Sequence, residues 1–154
     1  MEKKYSREEP TRVEKIRNGY KLSYNIHESS EEEILEAWRE SIDYENGKLE
    51  PEQWFIDEHR YCYYTVDIPM GQWNTDGIIN AIIREKYRQD EMEAITNNMA
   101  AVTSVFMQTL VSDGIIAATK YLKDSINDEN TLRFKEMQEW RAMAKAEARS
   151  IIKV

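Results

Sequence analysis

The stretch WNTDGIINAIIREKYRQDEMEAITNN, residues 73–98, marks the point where the chain changes from one kind of sequence to another. Before it, charged and aromatic residues alternate; after it, apolar residues recur with a helical period. Alternation is typical of half-buried strands, and a repeat of three to four residues is typical of helices. The sequence therefore predicts an α+β fold, in which a small antiparallel β-containing module, residues 1–72, precedes an all-helical module, residues 73–154.

Two segments of the first module carry strand patterns. In residues 20–27, large apolar side chains alternate with polar ones after a turn signal at Asn18-Gly19. The segment WFIDEHRYCYYTVDIP, residues 54–69, contains a second alternating run. Residues 1–18 are rich in charge and are compatible with an arm, a strand or both. These patterns predict an antiparallel pair of strands, which would need helices or a partner for stability.

One helix is predicted between the two strands. Ser30 followed by Glu33 matches a capping box, in which each side chain accepts the other residue's backbone N–H. The apolar residues that share one face of this helix are Ile34, Leu35, Trp38 and Ile42. Asn46-Gly47 is expected to end the segment, and a loop follows over residues 48–53.

From Thr75 onward the patterns predict only helices, with breaks near residues 87–90, 112–114 and 127–130. The second of these helices has heptad-like apolar positions and carries further apolar residues on its other sides. A helix that is apolar nearly all round is buried on more than one side. Residues 99–122 therefore predict close helix packing, either as self-association or as a tightly folded helical hairpin.

We expect self-association, and we place the interface on the apolar faces of these helices. The predicted interface residues are Ile95, Asn98, Met99, Val102, Phe106, Leu110, Ile115, Ile116, Tyr121, Leu122 and Trp140. Asn97 and Asn98 bring two amides into this apolar helix, and buried amides need hydrogen-bond partners. They could fix the register between chains, as buried asparagines do in coiled coils.

Composition and charge exclude several classes of function. The chain of 154 residues has a formal net charge of −8, which repels phosphate backbones and disfavours nucleic-acid binding. No window approaches the run of about 18 apolar residues that a membrane span needs. The segment MEKKYSREEP lacks the apolar core of a secretion signal, and the single cysteine, Cys62, allows no intrachain disulfide. We therefore expect a protein made inside the cell, with neither nucleic acid nor membrane as partner.

The sequence has none of the common motifs for catalysis or cofactor binding, so we predict no catalytic, cofactor-binding or metal-binding residues. His59-x-x-Cys62 could supply two metal ligands, but a zinc site needs more, and side chains along a strand point to different faces. Acidic groups such as Asp57-Glu58 suit helix starts and solvated faces. An enzyme with an acidic cleft is a further hypothesis, and it requires carboxylates that converge in a pocket.

Two runs of the helical half resemble a known group of phage proteins. DGIINAIIREKYRQDEMEAITNN (76–98) and FKEMQEWRAMAKAEARSII (134–152) are similar to the C-terminal helical module of virion accessory proteins from tailed phages and prophages of gut Bacteroidales, including the crAss-like phages. The residues that match the first motif are Ile82, Ile83, Arg84, Lys86, Tyr87, Asp90, Glu93, Ala94, Ile95, Asn97 and Asn98. Those that match the second are Phe134, Met137, Gln138, Trp140, Arg141, Ala144 and Lys145. The chain departs from the group at Arg88, where the group has serine, and in residues 99–130, which separate two motifs that normally lie close together.

The resemblance implies a head-fibre-associated or tail-fibre-associated structural role in the virion, without catalysis. In that setting the inserted apolar helices would assemble copies of the chain. The β-containing module would dock onto other virion structural proteins. A phage assembly chaperone, present during morphogenesis and absent from the mature particle, is the alternative.

Overall fold

The computed structural model describes residues 1–126 and 128–152, and the α+β prediction is confirmed. One antiparallel sheet occupies the N-terminal part, and helices make up the C-terminal part. The chain divides into two compact units, and the division falls after Ile78, later than the predicted boundary at 72/73. We call residues 1–78 the sheet unit and the residues from Ile79 onward the helical unit.

The sheet unit contains four strands with short helices between the third and the fourth. The strands are β1 (Lys4–Ser6), β2 (Val13–Ile16), β3 (Gly19–Glu28) and β4 (Tyr61–Pro69), and the helices are α1 (Glu31–Arg39), α2 (Ile42–Glu45) and α3 (Gln53–Glu58). The strand order is β1-β4-β3-β2, and all neighbours are antiparallel. The two strands predicted from alternation therefore form the centre. Both edge strands come from the charged segment whose structure the sequence left open.

One helix of this unit was not predicted, and one local prediction is wrong. Residues 53–58 form α3, ahead of the alternating run, and Phe55 is buried there. Ile42 does not share the buried face of α1, since it belongs to the separate helix α2 and is 73% exposed. Ser41 begins that helix, because its side-chain oxygen accepts the backbone N–H of Tyr44. The hydrogen bond of the Ser41 cap therefore starts a new helix at a point where the apolar spacing predicted that the first helix would continue.

The core of the sheet unit is aromatic. Trp38 is fully buried and packs edge-on against Phe55, with ring centroids 4.9 Å apart. Its indole N–H donates to the carbonyl of Lys48 at 2.8 Å. The other fully buried large side chains of this unit are Leu22, Tyr24, Cys62, Ile68 and Ile78. The indole therefore joins α1 to the loop that follows α2 while its ring fills the core.

Long helices make up the helical unit. They are α4 (Thr75–Lys86), which begins in the sheet unit, α5 (Gln89–Asp113), α6 (Ile115–Ser125) and α7 (Glu129–Ile151). The breaks predicted near residues 87–90 and 112–114 are confirmed by the ends of these helices. At the third predicted break, 127–130, Asn127 lies outside the described residues, and α7 begins at Glu129.

A stripe of buried residues on α7 organises the packing of the helical unit. Met137, Trp140, Ala144 and Ala148 recur at helical spacing, and the two alanines leave room for a neighbouring helix to approach. α5 contacts both α6 and α7, yet Ile95 is the residue of α5 that is fully buried. Most of the apolar surface of α5 is therefore only partly covered within the chain. Among the described residues, no helix combines the length and the apolar character needed to cross a membrane.

Candidate functional site

Large apolar side chains of the helical unit lie in solvent around Gly114, where α5 gives way to α6. Val111 is 84% exposed, Ile115 72% and Ile116 86%. Gly114 has φ +87°, a backbone conformation that favours glycine, so the chain changes direction here. Three further apolar side chains on the same two segments are each about half exposed. We call the six residues together the corner surface: Met107, Val111, Ile115, Ile116, Leu122 and Ile126.

Helical spacing aligns part of the corner surface along one stripe. Ile115 and Leu122 lie along α6 beside the buried Ala118 and Ser125, and Ile126 follows the end of the helix. Ile115 and Ile116 also line a shallow cleft of about 510 Å³. The polar residues of that cleft are Thr119, Lys120, Lys123 and Asp124. The corner surface thus has an apolar centre bordered by charges of both signs.

The predicted interface residues fall into three groups. The exposed ones are Asn98, Ile115, Ile116 and Leu122, and the partly buried ones are Met99, Val102, Phe106, Leu110 and Tyr121. Ile95 and Trp140 are buried within the helical unit, at 2% and 9% exposure, so the single chain leaves little of either side chain to face a partner. Met107 and Val111 were not among the predicted interface residues, although their four-residue spacing on α5 is the signal that places them on one side.

Trp140 is a core residue because its polar group has a partner inside the unit. The indole N–H donates to the carbonyl of Ile82 at 3.1 Å, and the ammonium of Lys86 lies 4.9 Å from the ring centroid. Asn97 and Asn98, in contrast, are exposed, so water can satisfy their amides. Their role in fixing a register between chains stays a prediction.

A second candidate lies in the sheet unit, where three side chains that can bind metals come together. His27 on β3, Glu33 in the first turn of α1 and Cys62 on β4 place a nitrogen, an oxygen and a sulfur atom within 4.8 Å of one another. We call these three the polar cluster. The Cys62 residue is fully buried, and the side chains of Glu33 and His27 are 15% and 40% exposed. His59, which sequence analysis paired with Cys62, instead stacks on Phe55 with ring centroids 3.8 Å apart.

A β-bulge brings His27 opposite Cys62. Residues 19–24 of β3 pair with residues 64–69 of β4, and the same register would place Ile26 opposite Cys62. After the bulge, His27 pairs with Cys62 instead. Asn25 within the bulge has φ +51°, which is uncommon for a residue other than glycine. Its carbonyl oxygen accepts the Nδ1–H of His27 at 2.8 Å. One inserted residue therefore re-aims a histidine that alternation alone assigns to the polar face of the strand.

The carboxylate of Glu33 is held in one orientation by several groups. The predicted capping box is confirmed: the Ser30 hydroxyl accepts the Glu33 N–H at 3.2 Å, and Glu33 Oε1 accepts the Ser30 N–H at 3.1 Å. The same Oε1 lies 2.9 Å from His27 Nε2. Glu33 Oε2 lies 3.7 Å from the ammonium of Lys3. The cap that starts α1 thus also aims the carboxylate into the polar cluster.

The polar cluster shifts the pKa of its own groups. Burial opposes ionisation of Glu33, but hydrogen bonds from Cys62, Ser30 and His27 outweigh it and lower the pKa of the carboxyl to about 2. Burial, together with the nearby Glu33, raises the pKa of the Cys62 thiol to about 12. Burial also disfavours the charged form of His27, yet its hydrogen bonds to Asn25 and Glu33 raise its pKa above the usual value. At neutral pH the carboxylate is ionised and the thiol is protonated.

This arrangement does not match a Cys-His-acid catalytic triad. In such a triad the two nitrogens of the imidazole serve different partners, one facing the nucleophile and the other the acid. Here Nε2 of His27 faces Glu33 and Nδ1 donates to a backbone carbonyl, so both ring nitrogens are already engaged by groups other than the thiol. The thiol is also fully buried, and its raised pKa disfavours the reactive thiolate. The cluster can hold a cation or an ion pair, but it is not arranged for nucleophilic attack.

One cleft of the sheet unit brings acidic groups together. It has a volume of about 550 Å³, and its charged lining residues are Arg7, Glu28, Asp57 and Arg60. Arg60 Nη2 lies 3.9 Å from Glu28 Oε1, and both side chains are mostly in solvent. The positive charges of two guanidinium groups therefore compensate the negative charges of the two carboxylates. The acidic-cleft hypothesis requires carboxylates that are buried together without such compensation, and this cleft does not provide them.

Replacing Ser30 with alanine is expected to lower the free energy of unfolding of the sheet unit by about 1 kcal/mol, because the cap of α1 is lost. Urea denaturation followed by circular dichroism measures the change. Ser29→Ala is the matched control, since the Ser29 hydroxyl is buried without a hydrogen-bond partner among the described residues. A loss of stability as large in Ser29→Ala as in Ser30→Ala would contradict the capping argument.

The chain matches no family model, no curated protein and no solved structure. The resemblance of its two helical motifs to phage virion accessory proteins stays a prediction.

Proposed function

We propose that this chain is a non-enzymatic structural component of a tailed-phage particle, which assembles with copies of itself through the corner surface. The observation that carries self-association is the exposure of Val111, Ile115 and Ile116 on both sides of one helix break. Single exposed apolar side chains are normal on soluble proteins, but adjacent ones mark interaction surfaces. The head-fibre or tail-fibre setting is supported by the two helical motifs that resemble virion accessory proteins.

The driving force of this assembly is the burial of apolar helix faces. Removing apolar surface from water stabilises a complex by about 25 cal/mol per Å², and specific interfaces commonly bury about 1,600 Å². Association costs about 4–15 kcal/mol in translational and rotational freedom, and ordering of side chains adds to that cost. The corner surface is built on helices, so little backbone ordering is added to that cost. The net affinity is the surplus that remains after these costs.

A second copy of the chain is the occupant that the borders of the corner surface favour. When two copies pair about a two-fold axis, both contribute the same patch to the interface. Each contact between two different residues is therefore made twice, once in each direction. Lys120, Lys123 and Asp124 supply both signs of charge beside Ile115 and Ile116. The lysines of one copy can therefore lie opposite the aspartate of the other. Complementary charges of this kind fix orientation more than they add affinity.

The sheet unit would dock onto another virion structural protein in this proposal. The alternative, an assembly chaperone, uses the same self-association but leaves before the particle matures. Mass spectrometry of purified particles distinguishes the two. Peptides of this chain in stoichiometric amounts support the structural component, and their absence supports the chaperone.

Replacing Ile116 with aspartate is expected to raise the dissociation constant of the self-associated state at least about tenfold, corresponding to about 1.4 kcal/mol. The physical reason is that a charge would have to be buried without a partner at the centre of the interface. Because Ile116 is 86% exposed in the single chain, the substitution should leave the fold intact. Sedimentation velocity over a range of concentrations measures the change, and circular dichroism checks the fold.

Ile42→Asp provides a matched control, because Ile42 is also an exposed isoleucine, at 73%, and lies in the sheet unit. It should leave the association unchanged. Val102→Asp and Phe106→Asp should also disrupt assembly far more than Glu32→Ala, but both positions are partly buried, so damage to the fold would contribute. A wild-type chain that sediments as a clean monomer at tens of micromolar would rule out self-association.

A further inference from the structure

We propose that His27, Glu33 and Cys62 form a binding site for one divalent transition-metal ion of the zinc class in the sheet unit. The three side chains come from β3, α1 and β4 and converge within 4.8 Å, so folding of this unit assembles the site. An imidazole, a carboxylate and a thiolate are the ligand types that zinc takes in proteins. This inference is independent of the self-association proposed above, which concerns the helical unit.

The distances within the polar cluster are close to those of a metal site. Bonds of about 2.0–2.3 Å in a tetrahedron place neighbouring ligand atoms about 3.3–3.8 Å apart. The three ligand atoms lie within 4.8 Å of one another, and His27 Nε2 lies 2.9 Å from Glu33 Oε1. Binding therefore needs the most widely separated atoms to draw in by at most about 1–1.5 Å and the nitrogen–oxygen pair to open by less than about 1 Å. Side-chain rotations supply shifts of this size without any change in strand pairing.

The β-bulge fixes the orientation of the histidine and determines which of its nitrogens a metal can take. A carbonyl oxygen only accepts hydrogen bonds, so the contact from Nδ1 to the Asn25 carbonyl places a proton on Nδ1. The remaining nitrogen, Nε2, is the one that lies 2.9 Å from Glu33 Oε1, and the thiol of Cys62 belongs to the same group of converging side chains. Histidines that bind metals commonly donate their other N–H to a backbone carbonyl in this way, which sets the tautomer and the ring orientation. The positive φ of Asn25 is a local strain of the kind that gathers at functional sites.

Charge balance also favours a divalent cation. Binding replaces the thiol proton of Cys62 and the Nε2 proton of His27, and both protons pass to solvent. The carboxylate and the thiolate then carry two negative charges, which a divalent ion neutralises in a partly buried site. The 40% exposure of the His27 side chain leaves an open side, where a water molecule can complete the coordination.

Lys3 is the cation that a metal would displace. Its ammonium lies 3.7 Å from Glu33 Oε2 and 3.6 Å from Glu36 Oε2. When a metal takes Glu33, the lysine can keep its pairing with Glu36, whose side chain is 64% exposed. The displacement therefore removes one of the two ion pairs of Lys3 and leaves the other in place.

Titration of the full chain with cobalt(II), after removal of bound metals by a chelator, tests this proposal. Cobalt substitutes for zinc and absorbs light, and a bound thiolate adds a sulfur-to-cobalt charge-transfer band in the near ultraviolet. We expect this band in the wild-type protein, saturating at one cobalt per chain, and we expect added zinc to bleach it. Cys62→Ser should abolish the band. His27→Gln should weaken cobalt binding about tenfold or more, because a ligand is lost.

His59→Gln is the matched control, because His59 is the other histidine of the sheet unit, stacks on Phe55 and is not one of the three converging side chains. Its cobalt affinity should equal that of the wild type. Cys62 is fully buried, so Cys62→Ser could impair folding. His27→Gln, at a position open to solvent, decides the test in that case. A wild-type protein without the charge-transfer band, or equal cobalt affinity in His27→Gln and the wild type, would overturn the proposal.

Discussion

Replacing Trp38 with alanine is expected to lower the free energy of unfolding of the sheet unit by about 3–5 kcal/mol. The side chain is fully buried, so its removal leaves a cavity between α1 and the residues packed against it. The edge-on contact with Phe55 is lost, and so is the hydrogen bond from the indole to the Lys48 carbonyl. Because single domains are stable by only about 5–15 kcal/mol, the variant should approach global unfolding of this unit.

Trp54→Ala is the matched control for this prediction. Trp54 belongs to the same aromatic group, with ring centroids 5.7 Å from Phe55 and 6.5 Å from Trp38, but it is 49% exposed. Removing its side chain should lower the free energy of unfolding much less, since about half of the side chain is already in contact with water. Urea denaturation of both variants, followed by far-ultraviolet circular dichroism, gives the two values. Similar losses in the two variants would show that burial of Trp38 does not dominate the core.

Replacing Gly19 with alanine is expected to destabilise the sheet unit by about 3 kcal/mol or more, at the upper end of overpacking effects. A Cβ atom at this position would lie 2.1 Å from the carbonyl oxygen of Ile68 and 3.0 Å from Cα of Pro69. Both are backbone atoms of β4, to which Gly19 is paired, so no side-chain rotation can relieve the clash. The central pair of strands would have to separate locally. Thermal unfolding of the variant measures the effect.

Gly71→Ala separates the steric effect from the general effect of replacing a glycine. Gly71 lies in the turn directly after β4, and a Cβ added there meets nothing within 4 Å. Its substitution should change the free energy of unfolding by less than about 1 kcal/mol, in either direction. If Gly19→Ala were as well tolerated as Gly71→Ala, β3 and β4 would not approach as closely as described.

Much of the local structure follows from short-range chemistry that is visible in the sequence. Ser30 and Glu33 are three residues apart, and their reciprocal hydrogen bonds form as the spacing predicts. Gly114 ends α5 in a conformation that favours glycine, as the break near residues 112–114 predicts. Alternation likewise locates β3 and the greater part of β4. In each case the interacting groups lie within a few positions of one another, so spacing alone carries the information.

The two candidate sites depend instead on contacts between residues far apart in the chain. His27 faces Cys62 because one bulged residue shifts the register, and strict alternation assigns that position to Ile26. Trp140 matches an interface pattern in sequence, but its indole finds the carbonyl of Ile82 inside the unit. Val111 lies on an apolar helix whose period indicates burial, yet its neighbours in the fold leave it 84% exposed.

By itself, the sequence determined the α+β class, the helix caps and breaks, and the two central strands, because those features depend on hydrogen bonds and periodicities between near neighbours. Only the tertiary structure decided which apolar residues stay in solvent at the corner surface and which polar side chains meet in the polar cluster. Those outcomes depend on strand register and helix packing, where a shift of one residue changes which side chain faces the interior. The polar cluster and the corner surface are therefore products of folding, and each is open to a direct test, by cobalt titration for the first and by sedimentation for the second.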